Sequence, residues 1–341
     1  MILKMKQYFY SVIFLVLIVS CQQEEDPGPQ LQPVLNVYIL NQGDENVKGS
    51  IDLYNAVDST YTSDYLSWNS NIERVINFNG ALHVLGSNPD QLDVMNGDLN
   101  ILKTVNNGFN QPFDMALYLT ENSSRGYVSN LGSTFLSILN QPPDIDDLQV
   151  IDSIDLQYQP GRLLVKNQRL YIAHPEDSLL TIINFNTNIT SRVTVPENPV
   201  DMTRDNANGL WVLCAAGEIV RFEDIRIAGT LKSANLDQRS KIMTSSSNSM
   251  VYFSGKSSGS DSLNTIYTFN PEAPVIETFA KIPEENIFSF FIESSSGQFY
   301  IAALKDDNTS VIYRLNREGD IVDIFSGGIR PVSYFSVAGF Q

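Results

Sequence analysis

A short motif recurs seven times along this chain, and no other sequence feature limits the fold as tightly. A small or polar turn is followed by an apolar run carrying one ring-bearing side chain. The instances are Asn36-Val37-Tyr38-Ile39-Leu40, Ala81-Leu82-His83-Val84-Leu85, Gly126-Tyr127-Val128-Ser129, Leu170-Tyr171-Ile172-Ala173, Leu210-Trp211-Val212-Leu213, Val251-Tyr252-Phe253-Ser254 and Phe299-Tyr300-Ile301-Ala302. The rings stand at positions 38, 83, 127, 171, 211, 252 and 300, separated by 45, 44, 44, 40, 41 and 48 residues. Four short strands with their turns need about that many residues, and such a unit is one blade of a β-propeller.

Each unit continues with an alternating run that ends in a turn former, as in Ser50-Ile51-Asp52-Leu53-Tyr54-Asn55 and Gln91-Leu92-Asp93-Val94-Met95-Asn96. Period-two alternation suits a strand packed between neighbouring blades. A third run follows, such as Ile101–Val105, and the next unit opens beside a proline, as in Gln111-Pro112, Gln159-Pro160 and Asn198-Pro199. Proline at the first position of a strand loses no ladder bond. The two ends of the chain are complementary. Residues 34–40 begin on the second strand of a unit, and Arg330–Val337 is an opening strand with no unit after it. The expected fold is therefore all-β: a seven-bladed propeller of four-stranded blades, with N- and C-terminal strands sharing one blade so that no edge is left free. A two-sheet sandwich has no reason to repeat seven times in register.

The first residues read as an address. Lys4 and Lys6 precede an apolar run from Phe9 to Val19, too short to span a bilayer and laid out as a secretory signal. Leu17-Ile18-Val19-Ser20-Cys21 then resembles a bacterial lipobox. That resemblance implies removal of residues 1–20 and acylation of Cys21, with several acyl chains anchoring the protein in a lipid bilayer. An acidic and proline-rich linker, 21–33, includes Gln22-Gln23-Glu24-Glu25-Asp26. Its position resembles signals that carry lipoproteins to the outer cell face, so the expected location is the outer membrane, facing the cell surface, with the periplasmic face as the alternative. The propeller is expected over residues 34–341.

The chain carries a formal net charge of −17, and loss of Lys4 and Lys6 with the signal lowers it to −19. A surface so acidic repels phosphate backbones and argues against nucleic acid as a partner. With two cysteines, Cys21 and Cys214, and two histidines, His83 and His174, neither a zinc cluster nor a disulfide framework can be assembled.

The run Val37-Tyr38-Ile39-Leu40-Asn41-Gln42-Gly43, the Asn/Gln-Pro openings and the Leu-Tyr-Ile-Ala strand resemble a family of Gram-negative surface lipoproteins built on YncE-like seven-bladed propellers. The resemblance covers the whole body of the chain. It implies a propeller that captures a ligand. Some members of the family, the BtuG-like proteins, capture cobalamin and pass it to an outer-membrane transporter. A TonB-dependent transporter is the partner this implies.

The ligand face of a propeller is the mouth of its central channel. Two loop sets converge there. The loops before the opening strands supply Trp68, Asn69, Phe109, Asn110, Gln111, Tyr158, Gln159, Asn198, Arg239, Glu285, Asn286 and Arg330. The loops after the second strands supply Asn41, Gln42, Asn88, Asn130 and His174. Aromatics beside amides suit a hydrogen-bonding ligand such as a corrinoid or a glycan. Turn chemistry alone also favours Asn and Gly, so these residues carry two readings. Trp68→Ala is expected to weaken binding without unfolding. Asp114, Arg162, Asp201, Ser289 and Ser333 share one register and are expected to form a ring in the channel. His83 and Cys214 are expected to be buried and inert. No nucleophile elbow, phosphate-cradling loop or His-rich metal site is present, which makes a non-catalytic binding protein the expected function. A calcium-dependent lactonase-type enzyme and a protein-interaction scaffold are the alternatives; the sequence commits to no cofactor and leaves calcium open.

Overall fold

A computed structural model describes residues 36–119, 124–140, 144–233, 235–283 and 286–337. Contacts group Pro33–Gln341 into one compact unit. Cys21 and Glu285 lie outside the described residues, as do the signal and the linker.

The described chain forms seven four-stranded antiparallel sheets. Blade 1 combines β28 (Pro331–Val337) with β1 (Asn36–Asn41), β2 (Ser50–Asn55) and β3 (Thr60–Ser67). Blades 2 to 7 use consecutive strands, four each, over residues 71–105, 112–155, 163–194, 199–232, 242–281 and 287–329. The shared blade closes the ring as the two chain ends suggest. Tyr38 pairs with Phe335 and Asn36 with Val337, and the Tyr38 and Phe335 rings stack 4.7 Å apart.

All seven ring-bearing residues fall on the second strand of a blade, and each pairs with an equivalent residue of the third strand. The second strands are buried almost throughout, while the outer strands are largely exposed; β19 (Arg226–Lys232) is an example. Apolar side chains of the middle strands collect into seven clusters, one at each junction between blades. One of these, with Val37, Ile39 and Tyr54 from blade 1 against Tyr300, Ala302 and Ile312 from blade 7, seals the closure. A propeller therefore has no single core; its stability lies in the faces between wedges.

The Asn at or just beyond the end of a third strand has a local task. Asn55, Asn96, Asn184, Asn270 and Asn316 each accept backbone N–H bonds from residues two to four positions on. These Asx turns tighten the hairpin into the outer strand.

Candidate functional site

In each blade, the loop before the inner strand and the loop after the second strand project from the same end of the ring. That end is the mouth. Below it, seven inner-strand side chains stand at one level. In blade order they are Ser333, Arg74, Asp114, Arg162, Asp201, Lys241 and Ser289, each level with the residue two beyond the ring-bearing position. The expected ring is real, and it holds two members the sequence reading missed, Arg74 and Lys241. A signal for them exists: every member is polar and precedes a buried apolar residue, Tyr334, Val75, Met115, Leu163, Met202, Ile242 and Phe290 in turn.

The ring carboxylates join neighbouring blades. Asp114 Oδ2 accepts from the Leu163 N–H at 2.9 Å, and Asp201 Oδ2 from the Ile242 N–H at 3.0 Å. Arg162 stands between them, 3.8 Å from Asp114 and 3.7 Å from Asp201, with Arg74 3.2 Å from Asp114. These pairs are ionic contacts without good hydrogen-bond geometry, for Arg74 Nε and Arg162 Nε and Nη1 are buried with no hydrogen-bond partner. Lys241 is half-buried in the channel wall. Burial first, then Arg162 and Arg74 against the opposing pull of Asp201 and Asp114, brings its pKa down to about 8.

Just above the ring, five inner strands carry a β-bulge, at Glu73, Phe113, Val200, Phe288 and Val332. A bulge re-aims a side chain, and here four of the five line a mouth cavity of about 280 Å³. The Arg162 guanidinium lies 4.7 Å over the Phe113 ring and that of Arg330 lies 5.6 Å over Phe288. Gln42 donates to Glu73 at 2.8 Å and Arg239 to Asn286 at 3.2 Å. A second cavity, about 260 Å³, continues at the level of the ring; both are lined by Arg162, Lys241 and Ser289.

Of the residues expected at the mouth, Gln42, Arg239 and Arg330 line this cavity. Four others are placed in the interior, contrary to expectation. Asn41 is buried and donates to Asp52 at 2.6 Å and Ser50 at 3.1 Å. Asn130 is buried and donates to Ser137 at 3.0 Å while accepting from the Asn110 N–H. His174 is fully buried between the Gln159 carbonyl at 3.0 Å and the Thr181 hydroxyl at 2.8 Å. These three share one register, three beyond the ring-bearing residue, and clamp the second strand to the third. Gly86 holds that register in blade 2, where a side chain would collide with Ser70 Oγ. There Trp68 substitutes from a neighbouring loop: it is 7% exposed, packed among Leu40, Ile72 and Met95, and its indole N–H donates to Asp93 at 3.1 Å. A buried indole finds such a partner because an unpaired N–H would be costly.

The remaining expected residues sit on the rim loops, bonded to those loops. Asn69 accepts from Gln91, the Asn88 carbonyl from Lys48, and Asn110 donates to the Gly132 carbonyl. Gln159 donates to the Leu131 carbonyl, Phe109 is half-buried against the junction of blades 2 and 3, and Tyr158 packs beside His174 and under Arg192. Asn88, Gln111, Asn198, Asn286 and Arg330 have φ between 50° and 75°. That left-handed backbone accounts for much of the amide content of the rim, since Asn tolerates it best among residues with side chains.

His83 is 3% exposed, and burial lowers its pKa; burial lowers that of His174 as well, despite its bond to Gln159. The buried Cys214 thiol is pushed up to about 12, which keeps it protonated and unreactive. Among the described residues, no group of three or more His, Cys, Asp or Glu is placed to hold a metal ion.

No protein-family model and no curated relative matches the sequence. Solved structures do match in fold. The periplasmic gluconolactonase PpgL of Pseudomonas aeruginosa is 11% identical, with a TM-score of 0.70 over 90% of this chain and 99% of that one. A 6-phosphogluconolactonase candidate from Bacteroides uniformis is 13% identical, with a TM-score of 0.69 over 90% of this chain and 100% of that one. A protein of unknown function from Desulfotomaculum acetoxidans is 9% identical, with a TM-score of 0.67 over 89% and 99%. Identities this low carry the architecture and no activity. The chain is a seven-bladed β-propeller with structural neighbours of the 6-phosphogluconolactonase type.

Proposed function

We propose that this chain is a non-catalytic receptor: an outer-membrane lipoprotein, anchored through acylated Cys21, whose propeller mouth holds a small polar ligand for an uptake transporter of the TonB-dependent kind. The observation that carries this reading is the pair of cavities along the channel axis. Their lining is cationic, amide and aromatic, with Gln42, Arg239 and Arg330 above and Lys241 and Arg162 below. These groups orient a ligand by hydrogen bonds and charge. Both histidines and Cys214 are buried and line neither cavity, which leaves carboxylates, Lys241 and Tyr334 as the titratable groups there. Each cavity falls slightly short of the ~300–1,000 Å³ of ordinary ligand pockets, and the two adjoin. That size favours a ligand near a monosaccharide over a corrinoid swallowed whole.

Calorimetry on the full chain in detergent, with corrinoids, neutral glycans and sugar acids, tests the proposal, with hydrolysis of lactones followed in parallel. Binding without turnover, weakened by Arg330→Gln or Gln42→Ala, supports the receptor. Lactone turnover, or no binding by any of these ligands, overturns it.

A further inference from the structure

The ring of seven is charged in a pattern that stops short. From blade 2 to blade 6 the signs alternate: Arg74, Asp114, Arg162, Asp201, Lys241. Blades 7 and 1 then contribute Ser289 and Ser333. The ring thus carries three cations against two acids, and the two-serine gap is flanked by a cation on each side. Completing the alternation requires one negative charge in the gap.

The gap is also where there is room. The 260 Å³ cavity is lined by Arg74, Lys241, Ser289 and Ser333, with the Tyr334 hydroxyl beside them. Ser289 is engaged, donating to the Pro331 carbonyl and lying 3.1 Å from Tyr334 Oη. The Lys241 ammonium makes no salt bridge or hydrogen bond among the described residues, and Arg74 Nε, though 3.2 Å from Asp114, is buried without a hydrogen-bond partner. Asp201 is already shared between Arg162 and the Ile242 N–H. The mouth above adds Arg239 and Arg330 against Glu73, which is itself satisfied by Gln42 and Ser87. A chain of net charge −17 therefore focuses positive potential in its own channel.

We infer that the two-serine gap is an anion site, taking the carboxylate or phosphate of a monosaccharide-sized molecule between Arg74 and Lys241. This rests on the receptor reading and specifies its ligand class. The bound charge would sit between a half-buried ammonium with no protein partner and a guanidinium whose Nε has only its ionic contact to Asp114, where charge-assisted hydrogen bonds are the strong kind.

The test is calorimetry on the full chain with D-glucuronate, inorganic phosphate and neutral D-glucose, on wild type, Lys241→Met and Ser333→Asp. Ser333→Asp places the missing charge on the protein. Expected are binding of glucuronate, phosphate or both, weaker by at least tenfold in either variant, no comparable binding of glucose, and a higher melting temperature for ligand-free Ser333→Asp than for wild type. Glucuronate without phosphate assigns the site to a sugar acid, and the reverse to a phosphate. Glucose binding as tightly as both anions, unchanged anion affinity in Lys241→Met, or a lower melting temperature in a folded Ser333→Asp overturns the site. Should Ser333→Asp not fold, Lys241→Met decides. Neutral glycans or corrinoids binding where both anions fail sinks the anion site alone; failure of every ligand sinks the receptor as well.

Discussion

Trp68 shows how one buried side chain can hold a junction together. Its ring fills the space between blades 1 and 2, and its N–H satisfies Asp93, which also accepts from Gln91 at 2.5 Å and Thr104 at 2.5 Å. Trp68→Ala should therefore cost about 3–5 kcal/mol, as cavity-forming aromatic deletions do. Chemical denaturation checks this; a loss below about 1 kcal/mol would return Trp68 to the rim. The histidines make a second case. Both are buried as neutral rings, so their folded pKa values lie below the ordinary 6.5. The unfolded chain then takes up protons first as pH falls. Their contribution is complete above about 6.5 and is lost as pH drops below it. Melting temperature should fall between pH 7 and 5, and His174→Gln should flatten that slope in a pH series of thermal scans.

Within a blade, the clamp between second and third strands decides which polar residues remain for function. Asp52 and Asp93 occupy one register of the third strand, at 1% exposure each. Burial raises the pKa of Asp52 against the opposing bonds from Tyr61, Asn41 and the Asp64 N–H. The same register holds Ser137 and Thr181 in blades 3 and 4, each bonded to the clamp residue of its second strand. Asn41 Oδ1 itself has no hydrogen-bond partner, so the clamp in blade 1 rests on the donations of its Nδ2. Asn41→Leu removes two donations, and leaves Asp52 short of a partner in the interior. Its expected cost is about 1–3 kcal/mol, read as a shift in denaturation midpoint with unchanged slope. A midpoint equal to that of the wild type would show that Asn41 is not a clamp.

Closure of the ring depends on β28. It supplies Phe335 to the junction with blade 2 and Tyr334 to the junction with blade 7. Deleting residues 331–341 strips both and bares the edge of β1, a template for pairing with other chains. The shortened chain should aggregate on expression, and a soluble, cooperatively melting product would contradict closure by the terminal strand. The proposed anchor is checked separately: Cys21→Ser should release the protein from the membrane fraction and abolish incorporation of labelled palmitate. Retention of both would remove Cys21 from the argument.

The blade count, the position of every second strand and the sharing of one blade by the two ends were readable from spacing, because strands and turns impose a period on the chain whatever the ligand. Five of the seven ring members were readable: Asp114, Arg162, Asp201 and the two serines fell into register, while Arg74 and Lys241 hid among ordinary surface cations until the inner strands were set side by side. Polar rim residues could not be sorted from composition at all. Asn41, Asn130 and His174 look like Gln42 in sequence, each following an apolar strand. Whether such a side chain turns inward to a third-strand partner or outward to the channel depends on what faces it across the blade and on room left by the next one. Those distances exist only once the wedges have closed around a common axis.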